Sequence, residues 1–187
     1  MKIFIKNMVS DRCKTVVQNE LKVLGIIHHV TELGEIEISK KLTEEQQLDL
    51  KRNLLKHGLE LVHDPKVTLV EKIRNLIIEM VHYLEKRPIT NYSAYISRKL
   101  DYDYTYLANL FSEVQGTTIE HCIIAHKIER VKELLTYNQF SLTEIANKLH
   151  YSSVSHLAKQ FKKVTGITTS EFKKQEYKGR LTLDKVC

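Results

Sequence analysis

Residues 141–166 read Ser141-Leu142-Thr143-Glu144-Ile145-Ala146-Asn147-Lys148-Leu149-His150-Tyr151-Ser152-Ser153, then Val154-Ser155-His156-Leu157-Ala158-Lys159-Gln160-Phe161-Lys162-Lys163-Val164-Thr165-Gly166. Ser141 and Glu144 form a capping box, in which each side chain satisfies an orphan amide beside the other. The spacing predicts a short helix over 142–149, a tight turn, and a longer helix over 153–165 that Gly166 ends. At about 100° per residue, Leu157 and Phe161 lie one turn apart and face a core. Ser155, Lys159 and Lys162 then line up on the opposite face, with Ala158 beside them.

The same pattern occurs earlier in the chain. Ile96, Leu100 and Tyr102 match Ile145, Leu149 and Tyr151 at an offset of 49, while Leu107, Phe111, Val114 and Gly116 match Leu157, Phe161, Val164 and Gly166 at an offset of 50. The second copy therefore holds one extra residue in its turn. Each copy has the helix-turn-helix pattern. A small polar residue near a helix start admits base edges, and cations further along meet phosphates or guanine, so the 155/159/162 stripe suits a major groove. The first copy places Thr105, Asn109 and Ser112 in the equivalent stripe, without cations. Between the copies a helix from about Ile119 to Leu135 spans roughly 25 Å. Such a spacer suits two reading helices about 34 Å apart, one turn of B-DNA.

Working outward, further capping boxes are expected at Thr43 with Gln46, Thr68 with Glu71, Thr117 with Glu120, and Thr168 with Glu171. The helices beyond residue 68 are expected at 69–86, 93–100, 104–115, 119–136, 142–149, 153–165 and 169–176. Before Pro65 the apolar period is two: Ile3 and Ile5 flank Phe4, and Ile36 and Ile38 alternate with Glu35 and Glu37, as in half-buried strands. A helix with Cys13, Val17, Leu21 and Leu24 on one side stops at Gly25, a second runs from Thr43 to near Gly58, and Leu59 to His63 is a last strand. The order βαββαβ in about 63 residues is the ferredoxin-like arrangement. The expected class is thus α+β, with a ferredoxin-like domain over 1–64, an all-α domain of seven helices with two helix-turn-helix units over 68–176, and a tail over 177–187.

The chain has 187 residues, 42% hydrophobic and 28% charged, which excludes disordered and membrane-embedded classes. No apolar run approaches a membrane span, and Met1-Lys2-Ile3-Phe4-Ile5-Lys6 is too short and too quickly recharged for a signal peptide. Three scattered cysteines, Cys13, Cys122 and Cys187, make no disulfide framework. These features point to the cytoplasm. Net charge is +6, and it is local: residues 138–178 carry seven lysines against three acids, while 67–118 hold six of each sign.

Residues 70–176 resemble the DNA-binding domain of AraC-type transcriptional regulators. The resemblance rests on Ile145-Ala146, Tyr151 and Ser153 in the turn, followed by Leu157, Phe161-Lys162-Lys163 and Gly166-Ile167-Thr168. His150 stands where the family usually has the turn glycine, and Thr169 where proline is common; His150 is expected to take the left-handed backbone in glycine's place. By this resemblance base-reading positions fall at Thr105 and Asn109 in the first unit and at Ser155 and Lys159 in the second, on the stripes that the helical period marks; Ser112, Ser153, Lys162 and Lys163 complete the expected DNA-binding set. Tyr92, Tyr95, Tyr102, Tyr104 and Tyr106 read as packing residues, with one or two of their hydroxyls as alternative phosphate contacts.

The N-terminal region resembles heavy-metal-associated domains, whose M-x-C-x-x-C loop holds a soft ion between two thiolates. Met8 and Cys13 match that loop, but Ser10 replaces the first cysteine, and a serine hydroxyl stays protonated and hard near neutral pH. Three readings follow: a domain kept for dimerisation or partner contact, a thiol sensor with Cys13 at a helix start beside Arg12, or a soft metal ion held by Cys13 from two subunits. Cys122 and His126 share a helix face, but two ligands make a weak site and Cys122 reads as packed. His28, His29 and His63 share no spacing. No glycine-rich phosphate loop, G-x-S-x-G or H-E-x-x-H occurs, so no enzyme and no resident cofactor are expected.

The expected function is therefore sequence-specific transcriptional regulation on double-stranded DNA. The transcription machinery and a second copy, joined through the N-terminal domain, are the expected protein partners, and no membrane is involved. The competing reading is a metal- or thiol-responsive protein acting through Cys13, with the helical half as an anchor.

Overall fold

The computed structural model describes all residues except 63, 84–90 and 176–178, and at 30–32 the backbone alone. Two compact units are present: Met1–Leu76 with Ile96–Val114, and Ile77–Tyr95 with Gln115–Cys187. Together they make a mixed α+β chain with a small N-terminal sheet and a helical remainder.

The first unit begins β1 (Lys2–Lys6), α1 (Asp11–Val23), β2 (His28–Glu32), β3 (Glu35–Ile38), α2 (Glu44–Lys56) and β4 (Glu60–Val62). The strands lie in the order β2-β3-β1-β4, and each neighbouring pair is antiparallel. Period-two alternation explains the register: Ile3 pairs with Ile36 and Ile5 with Leu61, so one face of the sheet is aliphatic. That face meets Val17 and Leu21 of α1 and Leu50 and Leu54 of α2 in a core that also encloses Met8. The Thr43 box forms as expected, with Gln46 N donating to Thr43 Oγ1 at 3.2 Å and Thr43 N to Gln46 Oε1 at 3.1 Å. Gly34, in the β2–β3 turn, has φ +81, and a Cβ there would meet Asn75 Nδ2 at 2.7 Å.

The other sheet face is covered as well. Helix α3 (Pro65–Ile78) lies against it, where Asn75 Nδ2 donates to the Leu33 carbonyl at 3.0 Å and Lys72 Nζ stands 5.0 Å over the Phe4 ring. Glu35, only 7% exposed, is clamped between Lys2 at 2.5 Å and Lys72 at 2.7 Å. Burial alone would raise this carboxyl's pKa, but hydrogen bonds and charge from the two ammonium groups hold it below the ordinary value. Pro65 opens α3 because proline's missing N–H costs nothing at a first helical position. Asp64 Oδ1 accepts from Lys66 N at 2.7 Å, and the Asp64 carbonyl from Thr68 N at 2.9 Å. Thr68 therefore lies inside the helix, and the box expected with Glu71 does not open it.

A π-helical turn over Glu79–Tyr83 follows α3, and residues 84–86 of the expected helix fall outside the described ones. Then come α4 (Tyr92–Leu100) and α5 (Tyr104–Gln115). Ile96, Leu107, Leu110 and Phe111 are buried, and Lys66 Nζ pairs with Glu113 of α5 at 3.1 Å.

The second unit is organised on α6 (Ile119–Tyr137), followed by α7 (Leu142–Lys148), α8 (Val154–Thr165), α9 (Thr169–Lys174) and a 3-10 turn at Leu183–Lys185. Ile128, Val131, Leu134 and Leu135 of α6 meet Ile145 and Ala146 of α7, Leu157 and Phe161 of α8 and Phe172 of α9 in one core. Phe161 and Phe172 meet edge to face with centroids 5.6 Å apart. The Ser141–Glu144 and Thr168–Glu171 boxes form. At the start of α6 the cap is Thr118 rather than Thr117, its hydroxyl accepting from His121 N at 3.1 Å. A second correction is covalent: Cys122 and Cys187 are joined in a disulfide across 65 positions, with Cα atoms 5.5 Å apart. Residue 176 of the expected last helix, residues 177–178 of the tail and His63 lie outside the described residues.

Two stability measurements check these assignments. Thr118→Ala should lower the unfolding free energy in urea by about 1 kcal/mol, with Thr117→Ala within about 0.5 kcal/mol of wild type. Glu35→Gln should cost about 2 kcal/mol near neutral pH. Because the folded pKa of Glu35 is depressed, its contribution is complete above the unfolded value of 4.5 and fades as pH falls through the lower folded value. The gap between wild type and Glu35→Gln should therefore narrow in acid.

Candidate nucleic-acid interface

One backbone hydrogen bond of the turn recurs in each helix-turn-helix copy, from the tyrosine amide to the carbonyl five residues before it. In the first, the amides of Asp101 and Tyr102 donate to the Ser97 carbonyl at 2.9 and 3.3 Å. In the second, Tyr151 N donates to the Ala146 carbonyl at 2.8 Å and His150 N to Asn147 at 3.1 Å, the two bonds of a Schellman turn. Asp101 (φ 59) and His150 (φ 55) take the left-handed conformation that reverses the chain. His150 thus does the work of the expected glycine. Asp103 Oδ1 accepts from Tyr106 N at 3.2 Å to open α5, and Ser153 Oγ accepts from His156 N at 3.1 Å to open α8. The extra residue of the second copy is Ser152, between Tyr151 and this cap, with Oγ 3.0 Å from His156 Nδ1.

Below the second turn, Tyr151 is buried. Its hydroxyl donates to Gln160 Oε1 at 2.7 Å, its ring lies under Lys127 Nζ at 5.0 Å, and burial raises its pKa. These contacts tie the turn to α8 and α6 together. On α8, Leu157 and Phe161 are fully buried while Ser155, Lys159, Lys162 and Lys163 are exposed. Among the described residues none of these three lysines is in an ion pair with a carboxylate. Ser153 is exposed as well, but its oxygen is committed to the cap. In the other unit, Thr105 and Asn109 of α5 are exposed and Ser112 is half-buried. Tyr95 is buried, while Tyr102 and Tyr106 are each 48% exposed and stack on one another with centroids 5.6 Å apart.

Glu144 and Glu171 are exposed but sit in caps, where hydrogen bonds from the backbone and side chain of Ser141 and Thr168 hold their carboxyls below the ordinary value. Each places a fixed negative charge at the start of its helix, where the dipole favours it.

Elsewhere, Cys13 is half-buried in the first turn of α1, with Ser10 Oγ 3.4 Å from its sulfur. Met8, the other residue matched to the metal loop, is fully buried in the aliphatic core. A different cluster emerges in the second unit: Cys122, His126 and Cys187 have ligand atoms all within 4.8 Å of one another. The i, i+4 pair was visible in the sequence, but its third member stands 61 residues beyond His126 and carries no local signal.

Residues 96–175 match the family described as a helix-turn-helix domain. These residues span α5 to α9 and nearly all of both copies. Two curated bacterial relatives extend beyond that segment. The uncharacterized HTH-type transcriptional regulator YtdP of Bacillus subtilis (strain 168) is 25% identical over 165 residues, covering 83% of this chain and 20% of its own. An uncharacterized HTH-type transcriptional regulator of Staphylococcus aureus is 22% identical over 163 residues, covering 85% of this chain and 21% of its own. The chain thus spans about a fifth of the length of these relatives. Among solved structures, the C-terminal domain of AraT, a response regulator from Geobacillus stearothermophilus, superposes with a TM-score of 0.50 at 19% identity, over 61% of this chain and 93% of that one. That likeness is one of fold. Among the described residues no helix is long and apolar enough to cross a membrane.

The turn geometry generates a test. His150→Val should destabilise the protein by about 1–2 kcal/mol, since a β-branched residue resists the left-handed region, whereas His150→Gly should be near neutral in thermal or urea unfolding.

Proposed function

We propose that this chain acts as a sequence-specific, DNA-binding transcriptional regulator of the AraC type, with α8 and α5 entering successive major grooves. The observation that carries the reading is the exposed stripe Ser155, Lys159 and Lys162 opposite fully buried Leu157 and Phe161, inside a segment that matches the helix-turn-helix family. Ser155 and Lys159 read base edges, and Lys162 and Lys163 neutralise phosphates. Ser153, with its oxygen held in the cap, has its hydroxyl proton left to donate to a phosphate. Thr105, Asn109 and Ser112 form the weaker second stripe, in which the Asn109 amide suits adenine.

The functional division we favour is a sheet domain over 1–64, the DNA-binding domain over 68–176 and a tail beyond. The strand order β2-β3-β1-β4, with βαββαβ connectivity, supports a ferredoxin-like sheet domain. Its proposed role is to join a second copy or to receive a signal. The burial of Met8 and the serine oxygen beside Cys13 favour a retained scaffold over the heavy-metal-associated activity. A non-enzymatic protein working in the cytoplasm alongside the transcription machinery is the corresponding setting.

Selection of binding sites from a random DNA pool is the direct experiment. The chain should enrich one common motif, and failure to enrich any would remove the regulator assignment. On the enriched site Lys159→Ala should weaken binding about tenfold or more, while Lys51→Ala, on an exposed face of α2, should leave it unchanged. Lys162→Ala should lower the slope of log affinity against log salt by about 1, the contribution of a lost phosphate contact.

A further inference from the structure

We propose that Cys122, His126 and Cys187 form a redox-gated metal site: in the dithiol state they hold a zinc-class ion, and formation of the disulfide expels it. The proposal does not depend on DNA binding. Cys122 and His126 are four apart on α6, so their side chains stand one above the other, and they are 1% and 0% exposed. Cys187 is delivered by residues 179–187, which are strapped along α6: Leu181 N donates to Glu129 Oε2 at 3.0 Å, Lys132 Nζ to the Gly179 carbonyl at 3.3 Å, and Arg180 approaches Glu133 at 3.8 Å.

The geometry suits a small tetrahedral ion. Cys187 Sγ lies 3.6 Å from His126 Nε2. That is about the sulfur–nitrogen edge, ~3.6 Å, set by zinc–sulfur and zinc–nitrogen bonds of about 2.3 and 2.0–2.1 Å. The other ring nitrogen, His126 Nδ1, lies 3.4 Å from Nε2 of His82, whose ring meets it edge-on at 5.5 Å. With Nδ1–H donating to His82, the lone pair of His126 Nε2 is directed toward the sulfurs, as metal-bound imidazoles require. His82 is thus a positioning residue. Two thiolates and an imidazole select zinc over magnesium or calcium.

The two states exclude each other. A disulfide holds its sulfurs about 2 Å apart, whereas two thiolates on one zinc stand about 3.8 Å apart. Passage from one to the other requires a two-electron reductant, which a dithiol supplies. One of its thiolates attacks the Cys122–Cys187 bond to give a mixed disulfide, and its second thiol resolves that bond. The dithiol leaves as a disulfide, and two electrons and two protons remain on Cys122 and Cys187. Metal binding then releases the two thiol protons.

Cobalt(II) is the probe, because thiolate ligation gives it sulfur-to-metal charge-transfer bands. The full chain, reduced with a phosphine, should bind one equivalent with such bands and lose them when zinc is added; the oxidised chain should bind none. Cys187→Ser and Cys187→Ala, either serving if the other folds poorly, should weaken binding by at least about tenfold, while Cys13→Ser should match wild type. His82→Gln should retain the bands with about tenfold weaker affinity. Absence of sulfur bands in the reduced chain, as for a disulfide that is structural only, would overturn the proposal. So would undiminished binding in both Cys187 variants, loss of binding in Cys13→Ser, or complete loss of the bands in folded His82→Gln.

Discussion

Leu157 and Phe161 sit one turn apart on α8 and are both fully buried against α6, α7 and α9. Removing two such side chains from water contributes several kcal/mol, far more than any single surface contact on the helix. Their burial therefore sets the rotation of α8 about its own axis. Once that rotation is set, Ser155, Lys159 and Lys162 have no direction left but outward. The Schellman turn at His150 and the cap at Ser153 act on the same helix from its start, setting where it begins and the direction from which the chain enters. Packing and turn chemistry thus agree on one presentation of the basic stripe.

The sheet-bearing unit has a different logic, since its two faces are covered by different chemistry. Aliphatic side chains of β1, β3 and β4 pack under α1 and α2, whereas the opposite face meets α3 through Phe4, Glu35, Lys72 and Asn75. A carboxylate with two ammonium partners is a directional contact, unlike the aliphatic side, and it orients α3 on the strands. The first residues of the helical half are thereby continuous with the sheet's own packing.

Much of this architecture was legible because its causes are local. Period-two alternation at Ile3, Ile5, Ile36 and Ile38 located strands, and reciprocal Ser/Thr–Glu/Gln spacing located helix starts at Thr43, Ser141 and Thr168. Where local signals competed, the reading slipped. Thr117 and Thr118 both offer a capping hydroxyl, and only the burial of Ile119 selects the second. Thr68 resembled a cap, but Asp64 and Pro65 open the helix one turn earlier. The burial of Glu35 was not legible, because alternation reports that a residue points away from one core and says nothing about what covers the other face. The exposed stripe on α8 was readable from 3.6-residue periodicity. The Cys122–His126–Cys187 cluster was not, because a contact across 65 positions leaves no trace in local spacing.

That long-range bond also changes the chain's topology. Joined at Cys122 and Cys187, the polypeptide from α6 through α9 is a closed ring, and the whole of the second helix-turn-helix lies within it. In the chain-entropy account, closing a loop of this length removes about 4 kcal/mol of freedom from the unfolded ensemble. The ring does not press on α8 or alter its exposed stripe. It restricts how far α7, α8 and α9 can separate from α6 once they let go, so in the oxidised chain a helix that detaches remains tethered at close range to the surface it left.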